Sequence, residues 1–98
     1  MARQEIENMS TEIIELKKQE LDLLVKHSLI ENLHTTTQQG NKILLSETKY
    51  YFESLLEKLS NLLIKEGIDS KTNEPNELGL KIETLIDIVS RVVYSSKE

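Results

Sequence analysis

Apolar residues recur every three or four positions along most of the chain, which is the spacing that places them on one side of a helix. The pattern is clearest over residues 42–66, where polar residues such as Glu57 and Lys58 occupy the opposite side. The residues on the predicted buried side are Leu45, Thr48, Phe52, Leu55, Leu56, Leu59, Leu62 and Leu63. This segment is therefore predicted to form an amphipathic helix with one buried side.

Two polar segments interrupt the helical spacing. The first is TTTQQGN, residues 35–41, where threonines weaken a helix and Gly40 can adopt the left-handed conformation of a C-terminal cap. The second is GIDSKTNEPN, residues 67–76, in which Asn73 or Asn76 can cap the start of a following helix. Both segments are predicted to connect helices.

A third helix is predicted over about residues 76–95. Its apolar side comprises Leu78, Ile82, Leu85, Ile86, Val89, Val92 and Val93. Gly79 lies near its start and costs about 1 kcal/mol relative to alanine within a helix. This glycine indicates either a close approach of another backbone segment or a frayed first turn.

A longer segment, residues 3–36, carries two apolar stripes. The first has the three- and four-residue spacing of a coiled-coil seam and comprises Ile6, Met9, Ile13, Leu16 and Leu23. The second comprises Ile14, Leu21, Val25, Leu29 and Leu33. A helix with two apolar sides generally packs against two neighbours. We therefore expect the seam to be the interface with another copy of this helix.

Together these patterns predict an all-α protein in which residues 1–98 form a single helical domain with helices over about residues 3–36, 42–66 and 76–95. The first helix would be about 50 Å long, and the other two are too short to cover it unless it bends. An uncovered seam would expose an apolar patch to water. We therefore predict a helical bundle completed by homo-oligomerisation, most simply as a homodimer.

Composition narrows the range of functions. The chain of 98 residues has a net charge of −5 and no cysteine. Without a basic stripe, the electrostatic term that dominates nucleic-acid binding is missing, so no nucleic-acid or membrane partner is expected. No run of 18 apolar residues and no apolar signal segment is present, so a cytoplasmic location is expected. The sequence lacks a glycine-rich phosphate loop and a nucleophile–base pattern, which predicts a protein that is not an enzyme and has no cofactor.

The two histidines flank a glutamate in HSLIENLH, residues 27–34. On a helix, His27, Glu31 and His34 would project from one stripe, and Glu31 and His34 have the Glu-x-x-His spacing of carboxylate-bridged metal sites. A dimer interface containing His27 could instead respond to pH. A polar stripe with a helical His27–Glu31 pair is the structural alternative, and it is the one we favour.

Two adjacent tyrosines, Tyr50 and Tyr51, follow Lys49 and flank the polar side of the second predicted helix. Tyrosine is frequent at the centres of protein–protein interfaces because it is large, rigid and partly polar. These three residues are the candidate partner-binding site. The alternative is that the two rings cover the edges of the core.

The C-terminal residues Tyr94-Ser95-Ser96-Lys97-Glu98 resemble the Tyr-x-x-x-Asp/Glu tail of the small helical-hairpin substrates of type VII secretion. The chain length of that family is also similar. Its Trp-x-Gly turn corresponds to Gln38-Gln39-Gly40, which lacks the tryptophan. The resemblance implies a helical hairpin that is exported.

We expect a non-enzymatic module that binds another protein as an adaptor, regulator or inhibitor, as small acidic helical proteins of phages and mobile elements do. This expectation follows mainly from the lack of catalytic motifs and from an apolar stripe that the chain cannot cover. A type VII secretion substrate, a dimeric DNA-associated regulator and a metal-binding helical protein are the alternatives.

Overall fold

The computed structural model describes residues 11–30 and 36–94 and shows a mixed fold of three strands and three helices. The prediction of an all-α helical bundle is therefore wrong. In chain order the elements are β1 (Thr11–Lys17), α1 (Lys18–Lys26), β2 (Thr36–Gln39), β3 (Lys42–Thr48), α2 (Lys49–Glu66) and α3 (Glu77–Tyr94).

The strands form one antiparallel sheet in the order β1-β3-β2. A two-residue turn, Gly40-Asn41, joins β2 to β3, and Gln39 lies opposite Lys42. Gly40 has a φ of 62°, whereas Asn41 has no positive φ, which is the pattern of a type II′ hairpin turn. Within the predicted helix break TTTQQGN, residues 36–41 thus form a strand and a hairpin turn.

Alternation along β1 gives the sheet two different faces. Ile14 lies opposite Leu45 and Leu16 lies opposite Ile43, and all four side chains are buried. We call the face that carries them the inner face. Ile13 belongs to the other face and is 58% exposed. Successive side chains of a strand point to opposite faces, so this pattern is the direct consequence of β pairing.

The prediction of one continuous helix over residues 3–36 is therefore wrong, since within the described part of that segment only Lys18–Lys26 is helical. Ile13 and Leu16 share one side of a helix, but in a strand three residues apart they point to opposite faces. The coiled-coil-like seam does not form there, because Leu16 and also Leu23 are buried in the chain's own core. Ile6 and Met9 lie outside the described residues.

The predicted helix over residues 42–66 begins as strand β3 and becomes helix only at Lys49. Thr48 starts the helix, since its hydroxyl oxygen accepts a hydrogen bond from the backbone N–H of Tyr51 at 3.1 Å. Phe52, Leu55 and Leu59 form the buried side of α2. The apolar residues of this segment thus follow a two-residue period in β3 and a 3.6-residue period in α2.

Helix α1 ends in a Schellman motif built on a serine. The N–H of Leu29 donates to the carbonyl of Leu24 at 2.8 Å, and the N–H of Ser28 donates to that of Val25 at 3.0 Å. Ser28 adopts a φ of 58°, a conformation that usually favours glycine. Leu24 and Leu29 are both buried in the core cluster, so their burial accompanies this ending.

Hydrogen bonds of Asn76 stabilise the tight loop that joins α2 and α3. The backbone N–H of Asn76 donates to the carbonyl of Gly67 at 2.8 Å, and its side-chain amide donates to the carbonyl of Glu66 at 3.0 Å. Its side-chain oxygen accepts from the N–H of Gly79 at 2.7 Å, which caps α3. Asn76 therefore satisfies backbone groups of both helix ends.

Gly79 is required by close packing of the backbone, one of the two alternatives that the sequence left open. A Cβ at Gly79 would overlap the carbonyl oxygen of Gly67, and a Cβ at Gly67 would lie 2.9 Å from the Cα of Gly79. Both glycines are buried. The loop between the helices can close only because neither residue has a side chain.

The core lies between the inner face of the sheet and the helices. Strand residues Ile14, Leu16 and Leu45 pack with helix residues from α1, α2 and α3 in one cluster. The helix residues in it are Leu23, Leu24, Phe52, Leu55, Leu59, Ile82, Leu85, Val89 and Val93. All of the described helices thus contribute to covering one side of the sheet.

Candidate interaction surface

The face of the sheet opposite the core is the main candidate site. We call it the outer face, and by register it comprises Thr11, Ile13, Glu15, Lys17, Thr37, Gln39, Lys42, Leu44, Ser46 and Thr48. Every one of them except Leu44, Ser46 and Thr48 is exposed. Among residues 11–30 and 36–94, the helices pack against the inner face, so the outer face is open.

Two apolar side chains stand on the outer face among polar neighbours. Ile13 lies opposite Ser46, and Leu44 lies between Glu15 of β1 and Thr37 of β2. Ile13 and Leu44 are therefore diagonal neighbours on adjacent strands, a spacing within reach of one partner side chain. Ile13 is the more exposed of the two, because it lies on the edge strand.

An ion pair borders these apolar residues. Lys17 and Lys42 lie directly opposite each other, which is unfavourable for two like charges. The Nζ of Lys42 lies 2.9 Å from the Oε2 of Glu15, and this hydrogen bond with its charge attraction raises the pKa of Lys42. The outer face therefore offers an apolar centre beside charges of both signs.

The predicted tyrosine site divides into two environments. Tyr50 is 80% exposed in the first turn of α2, next to exposed Lys49. Tyr51 is half-buried and packs edge-to-face on Phe52, with ring centroids 5.9 Å apart. Tyr50 presents its ring to solvent, whereas Tyr51 packs against the core, and a partner-binding role for the pair stays a prediction.

The histidine stripe predicted for residues 27–34 is not helical at its first residue, His27. Helix α1 ends at Lys26, and His27 is its C-terminal cap, so the alignment expected for His27, Glu31 and His34 has no helix to carry it at His27. Glu31 and His34 lie outside the described residues. Within the described ranges, no group of three His, Cys, Asp or Glu side chains could hold a metal ion.

His27 instead lines an open groove of about 380 Å³ between α1 and the start of α3. Acidic Asp22 and Glu77 and basic Lys26 and Lys81 line the same groove. Its charges are balanced, and its lining contains a leucine on each side, Leu23 and Leu78. This groove has the composition of an ordinary surface cleft between two helices.

The type VII resemblance also depended on a helical hairpin. Gln38, Gln39 and Gly40 lie in strand β2 and its turn, so this segment joins two strands rather than two helices. Tyr94 ends α3 and is 66% exposed, and the residues after it lie outside the described part of the chain. The helical-hairpin fold that the resemblance implied is wrong.

The chain matches no protein-family model, and no curated protein and no solved structure is significantly similar to it. Over residues 11–30 and 36–94, no helix combines the length and apolar character that crossing a bilayer requires.

Sequence reasoning missed the outer face because it treated Ile13 as part of a helix. A signal for the sheet was present: Gly40-Asn41 is a favoured two-residue hairpin turn, with threonines before it and the run KILL after it. A hairpin there implies a sheet with two faces. If one face packs on the core, the other is a candidate binding surface.

Proposed function

We propose that the protein is a non-enzymatic interaction module that binds another protein through the outer face of its sheet and acts as its adaptor, regulator or inhibitor. The single observation behind this proposal is the exposure of Ile13, 58%, on a sheet face that no described element covers. A sheet face with exposed apolar residues and a polar border is typical of a binding surface.

The surroundings of Ile13 favour a protein partner. Leu44 extends the apolar area, and the Glu15–Lys42 ion pair provides a donor and an acceptor at its border. A partner with an apolar side chain at its centre and polar groups around it would match this surface. With a net charge of −5 for the whole chain, a nucleic acid is a less suitable partner.

Tyr50 is proposed as a second contact residue, separate from Tyr51. Tyr50 is exposed and lies two residues after the end of β3, the central strand of the sheet. Exposed tyrosines contribute strongly to interfaces when a partner excludes water from them. We also propose that the protein is a homodimer and that it is located in the cytoplasm, with which a cysteine-free sequence is compatible.

The test compares three exposed apolar positions in affinity capture from source cells, followed by direct binding of the purified candidate partner. We expect Ile13→Lys to weaken binding roughly tenfold or more, since it places a charge at the centre of the proposed contact. Tyr50→Ala should weaken it by a smaller factor. Val25→Lys is the matched control, because Val25 is 46% exposed on α1, outside the sheet.

Equal binding by wild type, Ile13→Lys and Val25→Lys would exclude the outer face as the binding surface. Each variant is first checked for the unfolding temperature of the wild type, so that a loss of binding reports on the surface. Loss with Val25→Lys alone would place the contact on α1 and would also contradict the proposal.

A further inference from the structure

The free edge of strand β1 is the second feature of the sheet without a partner. In the order β1-β3-β2, β1 is paired on one side only among the described residues, and its seven residues pair with β3 along their whole length. An edge strand presents unpaired backbone N–H and C=O groups that match another strand. Pairing at this edge would therefore fix the direction and register of the added strand, which contact with an apolar patch does not.

The two edges of the sheet differ in how suitable they are for pairing. Strand β2 has four residues, TTQQ, and a short edge strand is one of the features that limit pairing between proteins. Strand β1 is longer, has no proline or glycine, and contains Ile13, Ile14 and Leu16. Of the two edges, β1 is the one that would form more backbone hydrogen bonds and apolar contacts with a further strand.

The sequence of β1 is complementary to itself when two copies run antiparallel about Ile14. Thr11 then lies opposite Lys17 of the second copy, and Glu12 opposite its Leu16. Ile13 lies opposite Glu15 of the second copy, and Ile14 opposite Ile14. In this register all seven residues pair and no two like charges are directly opposite.

The neighbouring registers that keep the inner faces on the same side are poorer. A shift of two residues in one direction places Glu15 opposite Glu15 of the second copy. A shift of two in the other direction places Ile13 opposite Ile13 but pairs only five of the seven residues, and a further shift of two places Glu12 opposite Glu12. In the Ile14-centred register the two Glu15 side chains are only diagonal neighbours. Each is already held by its own Lys42 at 2.9 Å, which reduces their repulsion.

We propose that the β1 edge is the seam of a two-fold symmetric homodimer, in which two copies of β1 pair antiparallel about Ile14 and join the sheets into one of six strands. The inner faces then continue across the seam, and so do the open outer faces. This arrangement is closed, because each β1 edge is used once. It specifies the homodimer and is independent of the identity of the foreign partner.

The first experiment measures oligomeric state by native mass spectrometry and sedimentation of the tag-free full chain. We expect a dimer for the wild type. In the symmetric dimer each Ile13→Glu carboxylate lies opposite Glu15 of the other copy, so the unfavourable pair occurs twice. Ile13→Lys places an ammonium group at the same two positions. The dissociation constant of Ile13→Glu should therefore be roughly tenfold higher than that of Ile13→Lys. Ile13 is exposed, so both variants should fold, and thermal unfolding checks this.

A wild-type monomer at about 100 μM would overturn the proposal. Equal dissociation constants for the two variants would also overturn it. A monomer that pairs its β1 edge with a foreign strand would show that the edge is a docking site for another protein instead. Partner capture by Ile13→Lys is judged separately, since this variant should lose the foreign partner while remaining a dimer.

The second experiment tests the register with cysteines, of which the natural chain has none. In the Thr11→Cys/Lys17→Cys variant, two disulfides should link the copies under mild oxidation, because the two positions are opposite each other. Each single variant is the control, since its two copies of the cysteine would be about 20 Å apart. Covalent dimers from the single variants, or none from the double variant, would contradict the Ile14-centred register.

Discussion

Ser28 determines where the first helix ends, although its residue type gives little sign of it. Serine is only moderately unfavourable within a helix, so the sequence between Lys18 and Leu33 gives no strong stop signal. The left-handed φ of 58° at Ser28 is maintained because the turn buries Leu29 and Ile30. The stabilisation comes from contacts that are distant in sequence. The local spacing of apolar residues does not reveal such contacts.

Replacing Ser28 with glycine should stabilise the protein. A residue other than glycine pays roughly 1–2 kcal/mol for a left-handed conformation, and the extra freedom of glycine in the unfolded chain offsets part of the gain. We expect the free energy of unfolding to rise by about 0.5–1 kcal/mol, measured by urea denaturation. Ser28 is exposed, so no buried contact is lost.

Asn73→Gly is the matched control for this prediction. Asn73 has a similar φ of 61° and is also exposed, but asparagine tolerates this conformation better than serine. Its substitution should therefore change the stability less. If Ser28→Gly destabilises the protein, the proposed strain at the end of α1 is wrong.

At the scale of elements, the sequence predicted the two C-terminal helices far better than the N-terminal half. The structure has α3 over Glu77–Tyr94, close to the predicted 76–95, because its apolar residues follow one period for 18 residues. Short apolar runs are ambiguous by comparison. Ile13, Ile14 and Leu16 fit both a helical stripe and an alternating strand, and pairing with β3 determines the outcome.

The packing of α2 against α3 predicts a reversal of the usual effect of a glycine-to-alanine substitution. In an unobstructed helix Gly79→Ala would stabilise by about 1 kcal/mol. Here the new methyl group would overlap the carbonyl of Gly67, so the helix ends must separate. We expect a loss of about 2 kcal/mol in the free energy of unfolding, measured by thermal or urea denaturation.

Glu83→Ala is the control on the same helix, since Glu83 is exposed and should change stability by less than about 0.5 kcal/mol. A Gly79→Ala variant as stable as Glu83→Ala would show that the loop has room for a side chain. The close approach of the two glycines would then not hold the helix pair together.

At the scale of the whole molecule, residues 11–30 and 36–94 form a sheet with one face covered by helices and one face that none of these residues covers. Composition and the lack of catalytic motifs led to the expectation of an interaction module, and the sequence pattern predicted its contacts at the tyrosine pair and at a helical seam. The sequence placed Ile13 in a helical seam, whereas the structure places it in the middle of an edge strand. The location of the site depends on strand register, which arises only when β1 and β3 come together.

The measurement that tests this account most directly is the NMR relaxation of isoleucine methyl groups by a soluble paramagnetic agent, applied to the isolated full chain. We predict clear relaxation at Ile13, which is 58% exposed, although weaker than that at Ile64, which is 75% exposed on α2. Ile14 and Ile43 should be protected, since both are buried on the inner face. The proposed dimer lowers the exposure of Ile13, because Glu15 of the second copy then lies opposite it, but Ile13 should still relax faster than Ile14 and Ile43, since the outer face stays open. Similar protection of Ile13 and Ile14 would contradict the open outer face and, with it, the proposed binding surface.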